Sequence, residues 1–296
     1  MAANARLETG ITVLDELLGG GLLPGTLTVV AGATGVGKTQ LGLHFANQGA
    51  VQERERGIIC DMTSRGDSQS HEEYARRLFD WRLRQQPMNE PVDPAQIWRT
   101  ELARRDYLHV FERTGRRVTR DDLEFDDWKA WKLELVKKLQ LAIWFFYGNF
   151  VHGVRRCVID GVEPTDKPSD SIQFDLFEYI YHQILHKEAD WVARDLFREQ
   201  FRAQAARVDE HMYDHAKIAC LLLYTTREVL LDDLLTRPLD SGDVLSNANT
   251  IILMGRIREG SRMGRALHVA KHRGSACDDA IVPFEVTDAG LMLRQN

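Results

Sequence analysis

Residues 27 to 50 read Leu27-Thr-Val-Val-Ala-Gly-Ala-Thr-Gly-Val-Gly-Lys-Thr-Gln-Leu-Gly-Leu-His-Phe-Ala-Asn-Gln-Gly-Ala50. A short β-branched run, Leu27 to Ala31, stops at a glycine-rich turn, and Gln40 to Ala50 reads as a helix. This is strand, loop, helix, the first half of a βαβ unit. The turn Gly32-Ala33-Thr34-Gly35-Val36-Gly37-Lys38-Thr39 fits G-x-x-x-x-G-K-[ST] at every fixed position. Glycines let backbone amides approach phosphate oxygens with no Cβ in the way. The helix that opens near Lys38 and continues through Gln40 points its unpaired N–H groups and positive dipole end at the same anion. Lys38 is then expected to reach the β- and γ-phosphates, with the Thr39 hydroxyl as a Mg²⁺ ligand. ATP with Mg²⁺ is the ligand this turn predicts.

Outward from the turn, further short apolar runs follow: Gly57 to Met62, Arg156 to Asp160, Ile218 to Tyr224 and Thr250 to Met254. Near-continuous hydrophobicity over four to six residues suits strands covered on both faces. Longer helical stretches lie between them, so the chain is expected to be α/β, with a mostly parallel sheet and helices on both faces. Ala266 to Lys271 and Ile281 to Val286 predict an antiparallel hairpin at the C-terminal sheet edge. A helical insertion spans about 68–150, with a helix from about Asp126 carrying Trp128, Trp131 and Trp144. A second elaboration, 171–217, reads as one or two long amphipathic helices with Phe174, Phe177, Ile180 and Ile184 at helical spacing. With no repeat or linker in sight, one elaborated domain over 1–296 is expected. A P-loop needs a second carboxylate for magnesium at the end of a neighbouring buried strand. Asp160, followed by Gly161, fits that role, and Asp61 is its rival.

The composition of the 296 residues narrows the class. A hydrophobic fraction of 44% and a charged fraction of 28% exclude wholesale disorder. No apolar run reaches the roughly 18 residues of a membrane helix, and the first residues form no apolar signal segment. The four cysteines, Cys60, Cys157, Cys220 and Cys277, form no C-x-x-C pair, which argues against a zinc ribbon and for a reducing, cytoplasmic setting. His182/His186 and His211/His215 have the i, i+4 spacing of a helical zinc pair, but no third ligand is evident, and they read as solvated or core histidines. The net charge of −6 argues against a dedicated nucleic-acid binder. Arg113 to Arg120 reads as an exposed charged loop.

Two further stretches carry a family resemblance. Leu7-Glu-Thr-Gly-Ile-Thr-Val-Leu-Asp-Glu-Leu-Leu-Gly-Gly-Gly-Leu-Leu-Pro-Gly25 precedes the first strand. Ala270-Lys-His-Arg-Gly-Ser275, followed by Val282-Pro-Phe-Glu-Val-Thr-Asp-Ala-Gly-Leu291, closes the chain. These resemble the opening and closing motifs of the RecA superfamily, most of all its KaiC-like branch, and Leu245 to Leu253 is similar to the strand before that ending. The likeness covers roughly 7–62, 154–164 and 218–293. It implies a RecA-like P-loop core that binds ATP between subunits of a ring or filament, commonly a hexamer. It also implies that Lys271 and Arg273 act in trans on a neighbour's γ-phosphate.

The chain departs from the family at one place. KaiC-like proteins carry tandem glutamates after the second strand, where this sequence has Thr63 and Ser64. A hydroxyl is a poor proton acceptor near neutral pH, and losing general-base help costs ~10²–10⁴-fold in rate. The expected function is therefore a slow ATPase or an ATP-binding switch that signals to a protein partner. Asp61, Asp67 and Glu163 are candidate substitutes for the missing base. The alternative is a DNA-dependent recombination or repair ATPase. The segment Glu228 to Asp243, where such proteins engage DNA, carries one arginine beyond Glu228 against five acids, which disfavours phosphate contact.

Overall fold

The computed structural model describes residues 5–63, 70–87, 92–111, 124–164, 172–236, 247–274 and 278–294. In chain order its elements are α1 (Thr12–Leu17), β1 (Leu27–Gly32), α2 (Lys38–Gln52), β2 (Ile58–Asp61), α3 (His71–Phe79), α4 (Thr100–Ala103), β3 (Tyr107–His109) and α5 (Phe125–Val151). There follow β4 (Arg156–Val162), α6 (Ile172–Ile180), α7 (Ala189–Phe197), α8 (Phe201–Glu210), β5 (Ala219–Thr225) and α9 (Leu231–Thr236). The chain ends in β6 (Thr250–Glu259), β7 (Arg262–His272), β8 (Ile281–Thr287) and β9 (Gly290–Leu293).

The strands form one sheet in the order β3-β2-β4-β5-β1-β6-β7-β8-β9. From β3 to β6 the pairing is parallel, and from β6 to β9 it is antiparallel. Every residue of β1, β2 and β4 is buried, which is why these runs are apolar without alternation. Two apolar cores cover the two faces. One collects Phe145, Phe146, Tyr147 and Phe150 of α5 with Phe174 and Phe177 of α6. The other holds Leu14 and Leu18, Leu41 and Phe45 of α2, and Leu7 and Leu22 from either side of α1. The expected α/β sandwich is the observed one.

Four expectations need correction. The second elaboration is not one or two long helices. A π-helical turn, Tyr181–Leu185, follows α6, and Arg198 takes φ +48 between α7 and α8. A non-glycine residue in that region interrupts the helical ladder. The first insertion is not purely helical, because β3 lies within it and extends the sheet beyond β2. The antiparallel part is also larger than the hairpin of β7 with β8. β6 runs five residues past Met254 and turns straight into β7. Finally, β4 does not end at Asp160: it continues to Val162 through a register shift at Gly161, which has φ +90. Arg113 to Arg120, Ser64, Asp67 and Cys277 lie outside the described residues, as do the side chains of Trp128 and Trp131.

Candidate functional site

β1 enters the glycine turn at Gly32, where a Cβ would stand 2.2 Å from the Met254 carbonyl oxygen of β6. Only glycine lets the two strands approach this closely. Gly35 (φ +77) has open space where a Cβ would project, and Gly37 (φ +123) is the N-cap of α2. Gly37 offers no capping side chain, and the amide of Leu41 is the one that reaches back to its carbonyl, at 3.2 Å. The amides of Lys38, Thr39 and Gln40 therefore precede the helical ladder and face outward from the helix end.

Lys38 is 6% exposed, and its Nζ donates to the carbonyls of Gly32 (2.7 Å) and Ala33 (3.0 Å), curling over its own loop. Burial pushes its ammonium down to about 8, against the pull of Asp160. Val36 is buried beneath the turn. Thr39 Oγ1 donates to Asp160 Oδ2 at 2.8 Å. Gln40 is buried, and its Oε1 has no hydrogen-bond partner among the described residues. A hydroxyl and a carboxylate are the hard oxygen donors that magnesium prefers, and the glycine turn, open at Gly35, is shaped for an anion. The residues present fit a phosphate and its metal.

Asp160 stands at the bulge of β4. A Cβ on Gly161 would come 2.5 Å from the amide nitrogen of Thr63, so the bulge holds the end of β2 close against Asp160. Met62 N donates to the Asp160 carbonyl at 2.7 Å, and Thr63 N donates to Asp61 Oδ1 at 2.8 Å. Asp61 and Asp160 are direct partners on neighbouring strands, which brings two carboxylates together in a buried place.

His71, which the sequence reading passed over, resolves that conflict. Its Nε2 lies 3.0 Å from Asp160 Oδ2, and its Nδ1 lies 3.3 Å from Asp61 Oδ2, an ion pair out of hydrogen-bond alignment. Burial alone would lower its pKa, but the two carboxylates raise it to about 10, so the ring is an imidazolium. Burial would raise the carboxyl of Asp61. His71, His109 and the Tyr107 hydroxyl, which donates to Oδ2 at 2.5 Å, instead hold it far below the usual range. Asp61 is thus enclosed by partners of its own, whereas Asp160 Oδ2 is shared between His71 and the P-loop helix.

A signal for His71 was present. Ser70-His71-Glu72-Glu73 has the spacing of a capping box, and Ser70 Oγ accepts from Glu73 N at 3.2 Å. A helix starting there, just beyond β2, puts its first residue at the carboxyl edge of the sheet, where α/β folds build their sites.

Glu163 lies past the bulge, half-buried, its amide donating to Gln173 Oε1 at 3.3 Å. Lys271 and Arg273 lie elsewhere. Lys271 is opposite Ile251, which in turn pairs with Val29, three residues before Gly32. At ~3.3 Å per residue Lys271 lies about 10 Å along the strands from the start of the turn, and Arg273, whose amide meets the Asn249 carbonyl, lies farther still. Both lie toward the amino-terminal end of β1, away from the chain's own P-loop. His211 closes α8 while His215 opens a separate 3₁₀ turn, so they do not share a helix as expected. Among the described residues no group of three or more His, Cys, Asp or Glu side chains is placed to hold a metal ion. Among these residues no helix is long and apolar enough to cross a membrane.

Comparison with known proteins finds likeness at the N-terminal end. The family model for the KaiC ATPase matches residues 7–88. The circadian clock oscillator protein KaiC 1 of Synechocystis sp. is 43% identical over 58 residues, 20% of this chain and 11% of that protein. KaiC of Rippkaea orientalis is 35% identical over 80 residues, 27% of this chain and 14% of the relative. The DNA repair protein RadA of Mycobacterium tuberculosis is 43% identical over 58 residues, 20% of this chain and 12% of the relative. The matched stretches thus take in well under a fifth of these relatives' own lengths.

Proposed function

The chain carries the P-loop core of the RecA superfamily in its KaiC-like form, and on that premise we propose that it binds MgATP between subunits of a homo-oligomeric ring and converts the nucleotide state into assembly or a changed contact with a protein partner. The observation that carries the reading is the Thr39–Asp160 hydrogen bond. It joins the P-loop helix to the bulge of β4, a strand that β5 separates from β1. In this reading the amides of residues 33–40 and the Lys38 ammonium grip the phosphates. Thr39 and Asp160 hold magnesium, which when bound neutralises charge on the β- and γ-phosphate oxygens. Lys271 and Arg273, remote from the chain's own turn, serve the nucleotide of a neighbour.

Hydrolysis is slow in this account. Thr63 offers a hydroxyl where a glutamate would act as base, and the Asp61 carboxylate is already engaged by His71, Tyr107 and Thr63 N. Among the described residues Glu163 is the other candidate acid near the bulge, and Glu163→Gln tests whether residual turnover depends on it. Free, buried Cys60, Cys157 and Cys220 suit a reducing cytoplasm. Size-exclusion chromatography with light scattering, with and without MgATP, tests the interface. A nucleotide-dependent increase in mass is expected, and a monomer in both conditions removes the basis for a shared site.

The similarity to RadA favours a second reading, a DNA-dependent repair ATPase. Filter binding at low salt separates the two, since tight ATP-dependent retention of DNA belongs to this second reading alone.

A further inference from the structure

Between Lys271 and Arg273 stands His272, which is 6% exposed although both its neighbours are more open. The reason is a bulge in β7. Ile252 faces Val269 and Ile251 faces Lys271, so Ala270 is an extra residue on that strand. An extra residue reverses the alternation of side chains. Leu267 and Val269 point into the core shared with Leu7, Leu18 and Leu22, and after the bulge it is His272 that turns to that face. Lys271 and Arg273 are thereby placed on the other one.

His272 is held there at both ring nitrogens. Nδ1 lies 2.9 Å from Thr250 Oγ1, and Nε2 lies 3.0 Å from Nη1 of Arg6. The same Nη1 donates to the carbonyls of Leu18 (3.0 Å) and Gly21 (2.9 Å). Nε2 also lies 3.1 Å from the Leu18 carbonyl oxygen, so Arg6, Leu18 and the ring form one close-set cluster. Burial and the Arg6 charge lower the pKa of the ring, against the pull of the Leu18 carbonyl. Arg6 is in turn fixed by the bridge of Leu7 with Leu22, two backbone hydrogen bonds of 2.9 and 2.8 Å. The strand ends at His272, and two residues on the chain turns at Gly274 with φ +80.

We propose that Arg6 and His272 are positioning residues for Lys271 and Arg273. Through them the N-terminal strap, residues 6–22, locks the last turn of β7 and sets where the two cations project. The inference rests on the reading of Lys271 and Arg273 as cations offered to a neighbour's γ-phosphate. Arg6 touches no nucleotide and acts only through the ring of His272 and the carbonyls beside it.

The test compares MgATP with MgADP in driving assembly, followed by light scattering against protein concentration. A merely structural role weakens assembly with both nucleotides alike, whereas misplaced trans cations remove the advantage of MgATP. Arg6→Met is expected to reduce that advantage about tenfold or more, the effect of losing one charge-assisted hydrogen bond. Nucleotide affinity of the dilute chain should stay unchanged. Arg6→Lys, which keeps the charge and a donor for the Leu18 and Gly21 carbonyls, should recover part of the loss. Thr250→Val is isosteric, frees only Nδ1, and should shift the advantage in the same direction if Arg6→Met does not fold. An unchanged MgATP advantage in Arg6→Met, or in Thr250→Val where it stands in, overturns the inference if Lys271→Ala or Arg273→Ala abolishes it. If Lys271→Ala and Arg273→Ala also keep the advantage, the trans reading itself falls, and this inference falls with it.

Discussion

Replacing His71 by leucine keeps the volume of the side chain and strands two carboxylates in the core. The imidazolium stands 3.0 Å from Asp160 and 3.3 Å from Asp61. At an effective dielectric of ~20, each contact is worth ~5 kcal/mol before desolvation is subtracted. Removing one partner of a buried ion pair costs ~3–5 kcal/mol net. The variant can escape by protonating one aspartate. From an ordinary carboxyl value of 3.8, that costs ~3.7 kcal/mol at pH 6.5, at ~1.4 kcal/mol per pH unit. The two routes agree, so His71→Leu should lose ~3–5 kcal/mol at pH 6.5.

The pH dependence follows from the sign of each shift. In the native chain Asp61 is depressed, so its stabilisation is present above about 3.8 and is lost only as pH falls through its much lower folded value. His71 is raised, so its stabilisation is complete below about 6.5 and fades as pH rises through about 10. The variant takes up a proton on folding, so its deficit should shrink toward pH 4, by up to ~1.4 kcal/mol per unit. Urea denaturation of both proteins at pH 4.0, 5.0 and 6.5 measures this, and adding Asp61→Asn should recover at least half of the loss. A deficit under ~1 kcal/mol at pH 6.5, or one that does not shrink toward pH 4, refutes the bridging role.

Three further outcomes are expected. Gly161→Ala places a Cβ 2.5 Å from Thr63 N at a backbone φ of +90, and should cost ~2 kcal/mol or more in the denaturation midpoint. Burial lowers His44 to about 4 from an ordinary 6.5. The unfolded chain therefore takes up a proton that the folded ring refuses, and stability should fall as pH drops from about 6.5 to about 4. The ring is half-buried, so the loss is ~1–3 kcal/mol, and His44→Gln should flatten that part of the pH profile. Asp160→Asn should still bind ATP in the absence of metal but lose most of the gain in affinity that Mg²⁺ provides, as read by nucleotide titration at fixed ATP and varied Mg²⁺.

Much of this arrangement can be read from sequence because it depends on local steric rules. The spacing of Gly32, Gly35, Gly37, Lys38 and Thr39 specifies a turn whatever surrounds it, and fully buried strands announce themselves as apolar runs. What escaped notice depends on partners far apart in the chain. The placement of β5 between β4 and β1 leaves no trace in either strand's composition. The bulge at Gly161 looked like a strand end, because a glycine after an aspartate fits both. His71 stands 89 residues from Asp160, and nothing in its own neighbourhood announces a carboxylate partner. In the sequence His272 is only the residue between Lys271 and Arg273, while its value lies in Arg6, 266 residues away. Tertiary hydrogen bonds of this kind carry no period for a sequence pattern to register.

The account stands or falls on the grip of the turn from Gly32 to Gln40. Titration calorimetry of MgATP into the native chain and into Lys38→Ala measures it directly. Saturable binding by the native protein is expected, weakened roughly 100-fold once the buried ammonium is gone, the scale of one or two hydrogen bonds from a charged donor. Equal affinity in the two proteins, or no heat from either, contradicts it.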